Sequence, residues 1–384
     1  MSSVAQVIAT GTRAIRRHRL AAAAPLLLLL AACASNAPLD TLEPKGPKAR
    51  AIDNLVNPVF IIAGVVFVLV QFGLLYLAWR YHTRKDDDGS LPTQTHGNFK
   101  LEIGWTLLPA LLLAGVGGAS VLTILDLEHS PPDAQKITVI GQQWWWEYRY
   151  DVDGDGKDDI VTANDLVIPA GKAISLTITS RDVIHSFWIP GLNGKRDAVP
   201  GREHPLQIEA DEPGAYRGQC TEFCGLSHGY MRMRVVALSE PDYAAWQENQ
   251  LKGAQVPTSA LAKEGMDVFR TSCTGCHLVR GPGGNDDIYK GTAQVSGAAP
   301  NLTHFASRGI FAGGVFDLWL DQNGNGEIDL DERGKQFNVP DLRAWLHDPP
   351  SRKPMYPQGG RGMPNLNLTD EQLKALVAYL ETLE

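Results

Sequence analysis

The chain has 384 residues, which is enough for two or three folded units, and a formal net charge of −8. Because no basic run occurs outside the N-terminal region, this acidic balance argues against nucleic acid as a partner. Only five cysteines are present, so the position of each one carries information.

Residues 1–32 are predicted to be a signal peptide. A basic region that contains Arg13 and Arg19 precedes an apolar stretch, which ends in small residues. The ending Leu-Ala-Ala-Cys resembles a bacterial lipobox, and this predicts lipidation of Cys33. The alternative is an ordinary cleavage site beside a chance cysteine. Export would place the remaining cysteines in an oxidising compartment, where disulfides are the default expectation.

Residues 33–57 are predicted to be a periplasmic tether, and residues 58–127 a transmembrane helical hairpin. Within the hairpin, apolar stretches at 58–79 and 103–125 each reach the ~20 residues that a bilayer requires. The alternative, a pair of buried core helices, would leave this length and apolarity unexplained. Two spans are too few for a transport pathway, so they indicate an anchor or a packing surface for a larger membrane protein.

Basic side chains cluster in the loop between the two spans. Arg80, Arg84, Lys85 and Lys100 lie close to the ends of the apolar stretches, so the positive-inside rule places this loop in the cytoplasm. The rest of the chain would then lie on the periplasmic face of the bacterial inner membrane. Glu102 stands at the cytoplasmic start of the second span. Its position alone favours a carboxylate that reaches the membrane surface over a proton-uptake group.

Residues 130–245 are predicted to form an all-β domain. Apolar residues alternate with polar ones, as at Ile174, Leu176 and Ile178, and Pro-Gly pairs separate the runs. Many short strands at this spacing favour a Greek-key sandwich or barrel.

Four soft metal donors follow one another in the motif C-x-E-x-C-x-x-x-H-x-x-M, which runs from Cys220 through Cys224 and His228 to Met231. A disulfide would leave the histidine and the methionine without a role, and a thioether is a poor zinc ligand. Copper suits thiolate, imidazole and a weak axial methionine, and this donor set would suit two coppers bridged by both sulfurs. His185, at the end of a predicted strand, is the best candidate for a second histidine.

These segments resemble subunit II of the haem–copper cytochrome c oxidases. The resemblance covers roughly residues 55–240 and includes DVIHSFWIP, KRDAVPGR, GQQWWWEY, LEIGWTLLPA and the cysteine motif. It implies a cupredoxin domain that holds the binuclear copper centre CuA. The implied ligands are the side chains of His185, Cys220, Cys224, His228 and Met231 and the backbone carbonyl of Glu222.

The same resemblance implies roles for three further side chains. The carboxylate of Glu222 would bind a magnesium ion at the border with subunit I. Trp144 would receive electrons from cytochrome c, although three consecutive tryptophans in a strand are more often packing residues. Glu102 would lie at the mouth of a proton channel in subunit I.

Residues 246–258 are predicted to be a polar linker that leads into an all-α domain at 259–384. The motif Cys273-Thr-Gly-Cys276-His277 is typical of covalent haem c attachment, with two thioether bonds and an axial imidazole. A disulfide or a redox-active cysteine pair is the alternative.

Two methionines, Met355 and Met363, compete for the sixth haem position. The C-terminal segment resembles class I cytochromes c, and this resemblance selects Met363 and implies that the carbonyl of Pro300 orients His277. Because all five cysteines are then assigned to lipid, copper or haem, no structural disulfide is expected.

An insertion at 321–332, DQNGNGEIDLDE, matches the calcium-binding EF-hand loop. The expected ligands are Asp321, Asn323, Asn325, Glu327, Asp329 and Glu332. The alternative is an acidic, solvated loop. Residues 151–159 begin similarly, but Thr162 stands where the loop needs glutamate, so a hairpin turn is expected there.

The resemblance as a whole implies the electron-accepting subunit of a caa-type terminal oxidase. Electrons from a quinol–cytochrome c reductase or a cytochrome c donor would pass through haem c and CuA to subunit I, beside subunit III, where oxygen is reduced to water and protons are pumped. Three alternatives are a nitrous-oxide reductase, a copper-delivery protein and a quinol-oxidase subunit. The first needs many more clustered histidines, the second has no use for haem, and the third would lack Cys220 and Cys224 as ligands.

Overall fold

The computed structural model describes residues 38–82, 94, 96–281, 299–325, 328–356 and 360–384. The expected signal peptide with Cys33, the loop residues Arg84 and Lys85, and the expected calcium ligand Glu327 lie outside the described residues. Residues 41–384 belong to one compact unit.

Two long helices, α1 (Pro47–Arg80) and α2 (Phe99–Glu128), contain the two apolar stretches. Each is long and apolar enough to cross a membrane, and neither apolar stretch is buried by the rest of the chain. Helix α1 begins with Pro47 in its first turn, where the missing N–H costs no helical hydrogen bond. Helix α1 thus begins before its apolar stretch, which starts at residue 58. Asn98 caps α2 by accepting hydrogen bonds from the N–H groups of the second and third helical residues.

The β domain consists of two larger sheets and a short strand pair. The five-stranded sheet has the order β3-β2-β1-β5-β8, the three-stranded sheet has the order β4-β10-β9, and β6 pairs with β7. The strands are β1 (Gln135–Gln142), β2 (Trp145–Tyr150), β3 (Ile160–Ala163), β4 (Asp165–Pro169), β5 (Ile174–Ser180), β6 (His185–Phe187), β7 (Arg196–Ala198), β8 (His204–Ile208), β9 (Gly214–Gln219) and β10 (Arg232–Leu238).

The hydrophobic core of this domain draws on both larger sheets. In β5, Ile174, Leu176 and Ile178 are buried while the residues between them are partly exposed, as the alternating sequence predicts. They share one cluster with Leu166 of β4 and Val235 of β10. Strands β1 and β5 are parallel, and so are β4 and β10, so the chain crosses over between strands instead of forming a simple series of hairpins. The predicted hairpin turn at 151–159 does join the antiparallel strands β2 and β3.

Helix α3 (Glu240–Gln250) follows the last strand and extends into the predicted linker. Its Trp246 stacks on Tyr243 and also contacts Tyr150 of β2, with ring centroids 5.6 and 5.3 Å apart. The first part of the polar segment at 246–258 is therefore a helix packed on the β domain. Its aromatic residue provides the packing contact.

The C-terminal part contains the helices α4 (Ala260–Ser272), α5 (Val339–His347), α6 (Pro349–Arg352) and α7 (Asp370–Leu380). Helices α4 and α7 pack closely at Gly265. A Cβ at this position would lie 1.9 Å from the carbonyl oxygen of Ala375, so only glycine allows the approach. In the sequence, a short sheet of β11 (Ile310–Phe311) and β12 (Phe316–Asp317) lies between the predicted haem-attachment motif and Met363. The helices predicted from the sequence are thus accompanied by a small β element that the sequence pattern did not indicate.

Candidate metal centre

The donors predicted for copper come from two neighbouring loops of the β domain. His185 begins β6, whereas Cys220, Cys224, His228 and Met231 follow one another in the connection from β9 to β10. The N–H of Cys220 donates to the carbonyl of Met231 at 2.9 Å, which closes this connection into a compact loop.

The two thiols lie at the centre of the donor set, with their Sγ atoms 3.8 Å apart and no disulfide between them. The Nδ1 atom of His185 lies 3.9 Å from the sulfur of Cys220, and Nδ1 of His228 lies 3.6 Å from that of Cys224. The Sδ atom of Met231 is 3.8 Å from the sulfur of Cys224. Each sulfur therefore has its own imidazole, as a pair of metals bridged by both sulfurs requires.

A sixth donor atom completes the set. The backbone carbonyl of Glu222 lies 3.3 Å from the sulfur of Cys220. The structure thus brings together two thiols, two ring nitrogens, a thioether and a carbonyl. Among the described residues, His185, Cys220 and Cys224 form one of two groups in which three or more His, Cys, Asp or Glu donors converge.

Asp182 fixes the orientation of His185, which is fully buried. The carboxylate accepts a hydrogen bond from Nε2 of His185 at 2.8 Å and another from the backbone N–H of Gln143 at 2.8 Å. This contact leaves Nδ1 free to face Cys220. Gly141 makes room for the ring, because a Cβ there would lie 2.8 Å from Cδ2 of His185. The sequence motif contained Asp182, but its role was not predicted.

The electrostatics of the site distinguish the two thiols. The hydrogen bond to Cys224 lowers the pKa of Cys220 to about 4, and that sulfur in turn raises the pKa of Cys224. Binding of a metal to both sulfurs would displace their protons. Burial raises the pKa of Asp182, but the hydrogen bond from His185 and two backbone N–H bonds outweigh it and hold this pKa below its usual value.

Trp144 links this loop to the C-terminal part of the chain. Its Nε1 donates to the carbonyl of Cys224 at 3.1 Å, and Nε2 of Gln143 donates to the same oxygen at 2.7 Å. The tryptophan is only 3% exposed. A Cβ at Gly362 would lie 3.8 Å from its ring, and the side-chain nitrogen of Lys353 donates to its carbonyl at 2.5 Å. Residues of the C-terminal part therefore cover the side chain that was expected to meet an external cytochrome c.

The predicted haem-attachment residues Cys273, Cys276 and His277 lie just after α4. The Nδ1 atom of His277 is 2.8 Å from the carbonyl of Pro300, which leaves Nε2 available as an axial ligand. Burial lowers the pKa of His277, and this favours the neutral imidazole that binds metals. The thiols of Cys273 and Cys276 form no disulfide. Met363 packs against the same hydrophobic cluster as Cys273.

Two carboxylates expected to face another subunit are exposed. Glu102 lies in the first turn of α2, where the positive end of the helix dipole favours a negative charge. The side chain of Glu222 is exposed, whereas its carbonyl belongs to the donor set. Phe223 and Leu226, 77% and 58% exposed, form an apolar surface on the same loop.

In the described part of the expected calcium loop, the carboxylates do not converge. The two oxygens of Glu332 accept backbone N–H bonds from Gln322, Asn323 and Asp329 at 2.9 to 3.0 Å. Among the described residues, the converging acidic group is instead that of Asp151, Asp153 and Asp159 in the β2–β3 hairpin. Calcium binding at 321–332 stays a prediction that requires Glu332 to turn towards the ion.

Comparisons with known proteins address the identity of this fold and donor set. The family described as cytochrome c oxidase subunit II, periplasmic domain, matches residues 153–238, and its transmembrane domain matches residues 39–122. Cytochrome c oxidase subunit 2 of Alkalihalophilus pseudofirmus is 34% identical over 372 residues, which cover 94% of this chain and 95% of that protein. The chain belongs to the cytochrome c oxidase subunit II family.

Two further proteins show how far the similarity extends. Cytochrome c oxidase subunit 2 of Bacillus sp. strain PS3 is 32% identical over 375 residues, covering 94% of this chain and 95% of that protein. Among solved structures, the periplasmic domain of subunit II of cytochrome oxidase of Bradyrhizobium japonicum is 29% identical. That comparison covers 32% of this chain and 96% of that one, with a TM-score of 0.30.

Membership of this family identifies the chain as an electron-transfer subunit of a terminal oxidase, which is an oxidoreductase complex of the respiratory chain. Helices α1 and α2 anchor it in the membrane, where it associates with other oxidase subunits. The family normally binds CuA copper in its β domain. The thiol, imidazole, thioether and carbonyl donors gathered here fit such a centre.

Proposed function

We propose that this chain accepts electrons on a covalently attached haem c, passes them to CuA and delivers them to subunit I of a caa-type oxidase. Oxygen reduction to water and proton pumping would take place in subunit I, beside subunit III. One observation carries this proposal. The indole N–H of Trp144 donates to the carbonyl of Cys224, and a Cβ at Gly362, which immediately precedes Met363, would lie 3.8 Å from the same ring.

The copper side of the proposal assigns six donor groups. His185, Cys220, Cys224, His228 and Met231 would hold the metals by their side chains, and Glu222 would do so by its carbonyl. When bound, two coppers that share both sulfurs supply a one-electron acceptor. The protein's contribution is a preorganised cradle, since the N–H of Thr221 in the β9–β10 loop donates to the carbonyl of Ser186 in β6 and the N–H of Cys220 donates to the carbonyl of Met231.

The haem side of the proposal assigns the C-terminal part. Cys273 and Cys276 would form the thioether bonds, while His277, oriented by Pro300, and Met363 would supply the axial ligands. The hydrogen bond from His277 to Pro300 and the burial of Cys273 support this assignment. A thiol pair at 273 and 276 that remains unpaired is also the state that covalent haem attachment requires.

The membrane orientation follows from charge. Arg80 is the last residue of α1, and Lys100 lies in the first turn of α2. We infer that this loop is cytoplasmic and that the β domain and the C-terminal part lie on the periplasmic face. Exposed Glu222 would then be available for a magnesium ion shared with subunit I, and exposed Glu102 for proton uptake at the opposite face.

The covalent haem provides the direct test. The intact mass of the purified chain should exceed the mass of the polypeptide by one haem, and the double variant Cys273→Ser, Cys276→Ser should lack this increment. Optical spectra should show a low-spin c haem with a sulfur-to-iron band. A wild-type chain that carries no haem in cells able to mature c-type cytochromes would refute the haem assignment.

A further inference from the structure

The side chain of Lys353 is inserted between the C-terminal part and the copper domain. It follows helix α6 directly and is only 8% exposed. Its nitrogen donates to the carbonyl of Trp144 at 2.5 Å and to the carbonyl of Ala312 at 2.9 Å. One acceptor lies in the β1–β2 connection and the other in the β11–β12 turn. A single side chain therefore joins backbone segments far apart in the sequence.

The space around this nitrogen is shaped to receive it. Gly313 has a φ of 72°, which glycine adopts without strain, and a Cβ at this position would lie 2.0 Å from the nitrogen of Lys353. The same Cβ would lie 2.8 Å from the carbonyl oxygen of Trp144. Any larger residue at position 313 would separate the two groups.

The bonding partners of Lys353 are unusual for a buried amine. In the described part of the chain, both of its side-chain hydrogen bonds go to neutral carbonyls and not to carboxylates. Burial lowers the pKa of Lys353 to about 7, even though the nearby thiol of Cys224 opposes this shift. A methionine would fill similar space without the cost of burying an amine. The amine is therefore better explained by the two carbonyls that it joins than by packing.

Two further contacts connect the same surfaces. The N–H of Arg232 donates to the carbonyl of Gly313 at 2.8 Å, and the hydroxyl of Ser227 donates to the carbonyl of Pro354 at 2.5 Å. Both belong to the loop that carries the predicted copper donors, or directly adjoin it. Gly313, Lys353 and Pro354 are thus each hydrogen-bonded to the copper loop, to Arg232 beside it or to Trp144.

We propose that Lys353 is a positioning residue that fastens residues 353–356 to the copper domain and sets the contact between Trp144 and Gly362. This inference rests on the proposed function, because the contact matters for electron transfer only if haem c and CuA are both present. Its structural part, the fastening itself, does not depend on either metal.

The test uses the assembled oxidase that contains the full chain, with the variant Lys353→Met. The matched control is Lys374→Met, which removes an exposed lysine from α7. Hydrogen exchange at residues 312–314 and 353–356 reports the fastening. Photoreduction of the haem followed by absorbance reports its electron transfer to copper, and redox titration reports both potentials. The variant Lys353→Arg keeps a charged donor and serves as the conservative comparison.

Loss of Lys353 should raise exchange in both segments and slow electron transfer by roughly tenfold, the factor that corresponds to about 1.4 kcal/mol. Both potentials should stay unchanged, Lys353→Arg should recover part of the rate, and Lys374→Met should match the wild type. Unchanged exchange and an unchanged rate would overturn the proposal, and so would a slower rate fully explained by a shifted copper potential. If Lys353→Met does not retain both centres, Lys353→Gln is measured against the same criteria.

A failure of the proposed function gives a different result. The wild-type oxidase itself would then lack the spectrum of haem c or of CuA. In that case the exchange measurement still tests whether Lys353 fastens the two surfaces. Wild-type exchange rates in the Lys353→Met variant would overturn the inference whatever the metal content.

Discussion

The carboxylate of Asp182 accepts a hydrogen bond from Nε2 of His185 at 2.8 Å, while Nδ1 of the same ring faces the sulfur of Cys220. A histidine that binds metal through one nitrogen is commonly held by a hydrogen bond at the other. The pair therefore fixes both the ring orientation and the tautomer that copper binding requires.

Replacing Asp182 by asparagine should weaken copper binding. The amide can still contact the ring but does not stabilise the same tautomer by charge, and changes of this kind cost roughly 10–100-fold in metal affinity. Competition with a copper chelator measures the effect. The variant Asp197→Asn, on the exposed face of β7, is the control. Equal copper affinity in the two variants would show that Asp182 does not orient the ligand.

Replacing Trp144 by phenylalanine should slow electron transfer from haem to copper. Phenylalanine keeps an aromatic ring but loses the hydrogen bond to the carbonyl of Cys224, at a cost of about 1 kcal/mol in unfolding free energy. The rate after photoreduction of the haem is the relevant measurement. Trp246→Phe, which alters a tryptophan of α3 that stacks on Tyr243, should leave this rate unchanged. A wild-type rate in Trp144→Phe would exclude the indole N–H from the route.

Asp165 predicts a pH dependence of stability. Burial raises its pKa, but the charges of Arg234 and Arg333 and the hydrogen bonds from Arg234 and Gly309 outweigh burial and hold this pKa below its usual value. Because the folded pKa is the lower one, the carboxylate stabilises the fold above its unfolded pKa of about 3.9. That contribution disappears as the pH falls through the folded value. Asp317 and Arg308 are the other charged groups that interact with this site.

The measurement is the difference in unfolding free energy between the wild type and Asp165→Asn, obtained from thermal unfolding at each pH. At pH 6 the wild type should be more stable by about 3 kcal/mol, because the variant removes the buried carboxylate that accepts from the guanidinium of Arg234. The difference should shrink towards pH 3. Asp267→Asn, at an exposed position of α4, should show no such trend. A difference that stays constant from pH 6 to pH 3 would contradict the assignment.

Calcium should raise the melting temperature only if the loop at 321–332 rearranges. Because Glu332 is engaged with three backbone N–H groups, we expect weak binding, with a dissociation constant on the order of 10⁻⁴ to 10⁻³ M. Asp329→Asn should abolish the thermal shift, whereas Asp331→Asn, which alters an exposed non-ligand carboxylate, should retain it. The absence of any shift in the wild type at millimolar calcium would reject the site.

The copper donors could be predicted because most of them lie in one short loop. Cys220, Cys224, His228 and Met231 are separated by only a few residues, so their spacing already limits how far apart they can lie. The position of His185 at the end of a strand identified the fifth side chain. The structure brings all five together.

The contact between the two halves of the chain could not be predicted in this way. Lys353 and Trp144 are separated by 209 positions, and no periodic pattern connects them. The polar composition of 246–258 predicted a linker, whereas Trp246 packs α3 onto the β domain. Composition reports average polarity, and a single aromatic contact is enough to fix such a segment.

The measurement that tests the central claim most directly is the copper content of the purified wild-type chain together with its electron paramagnetic resonance spectrum. Two coppers per chain and one unpaired electron shared between them are expected, and Cys220→Ser and Cys224→Ser should each abolish this signal. A single copper with a blue mononuclear spectrum, or zinc in its place, would contradict the account.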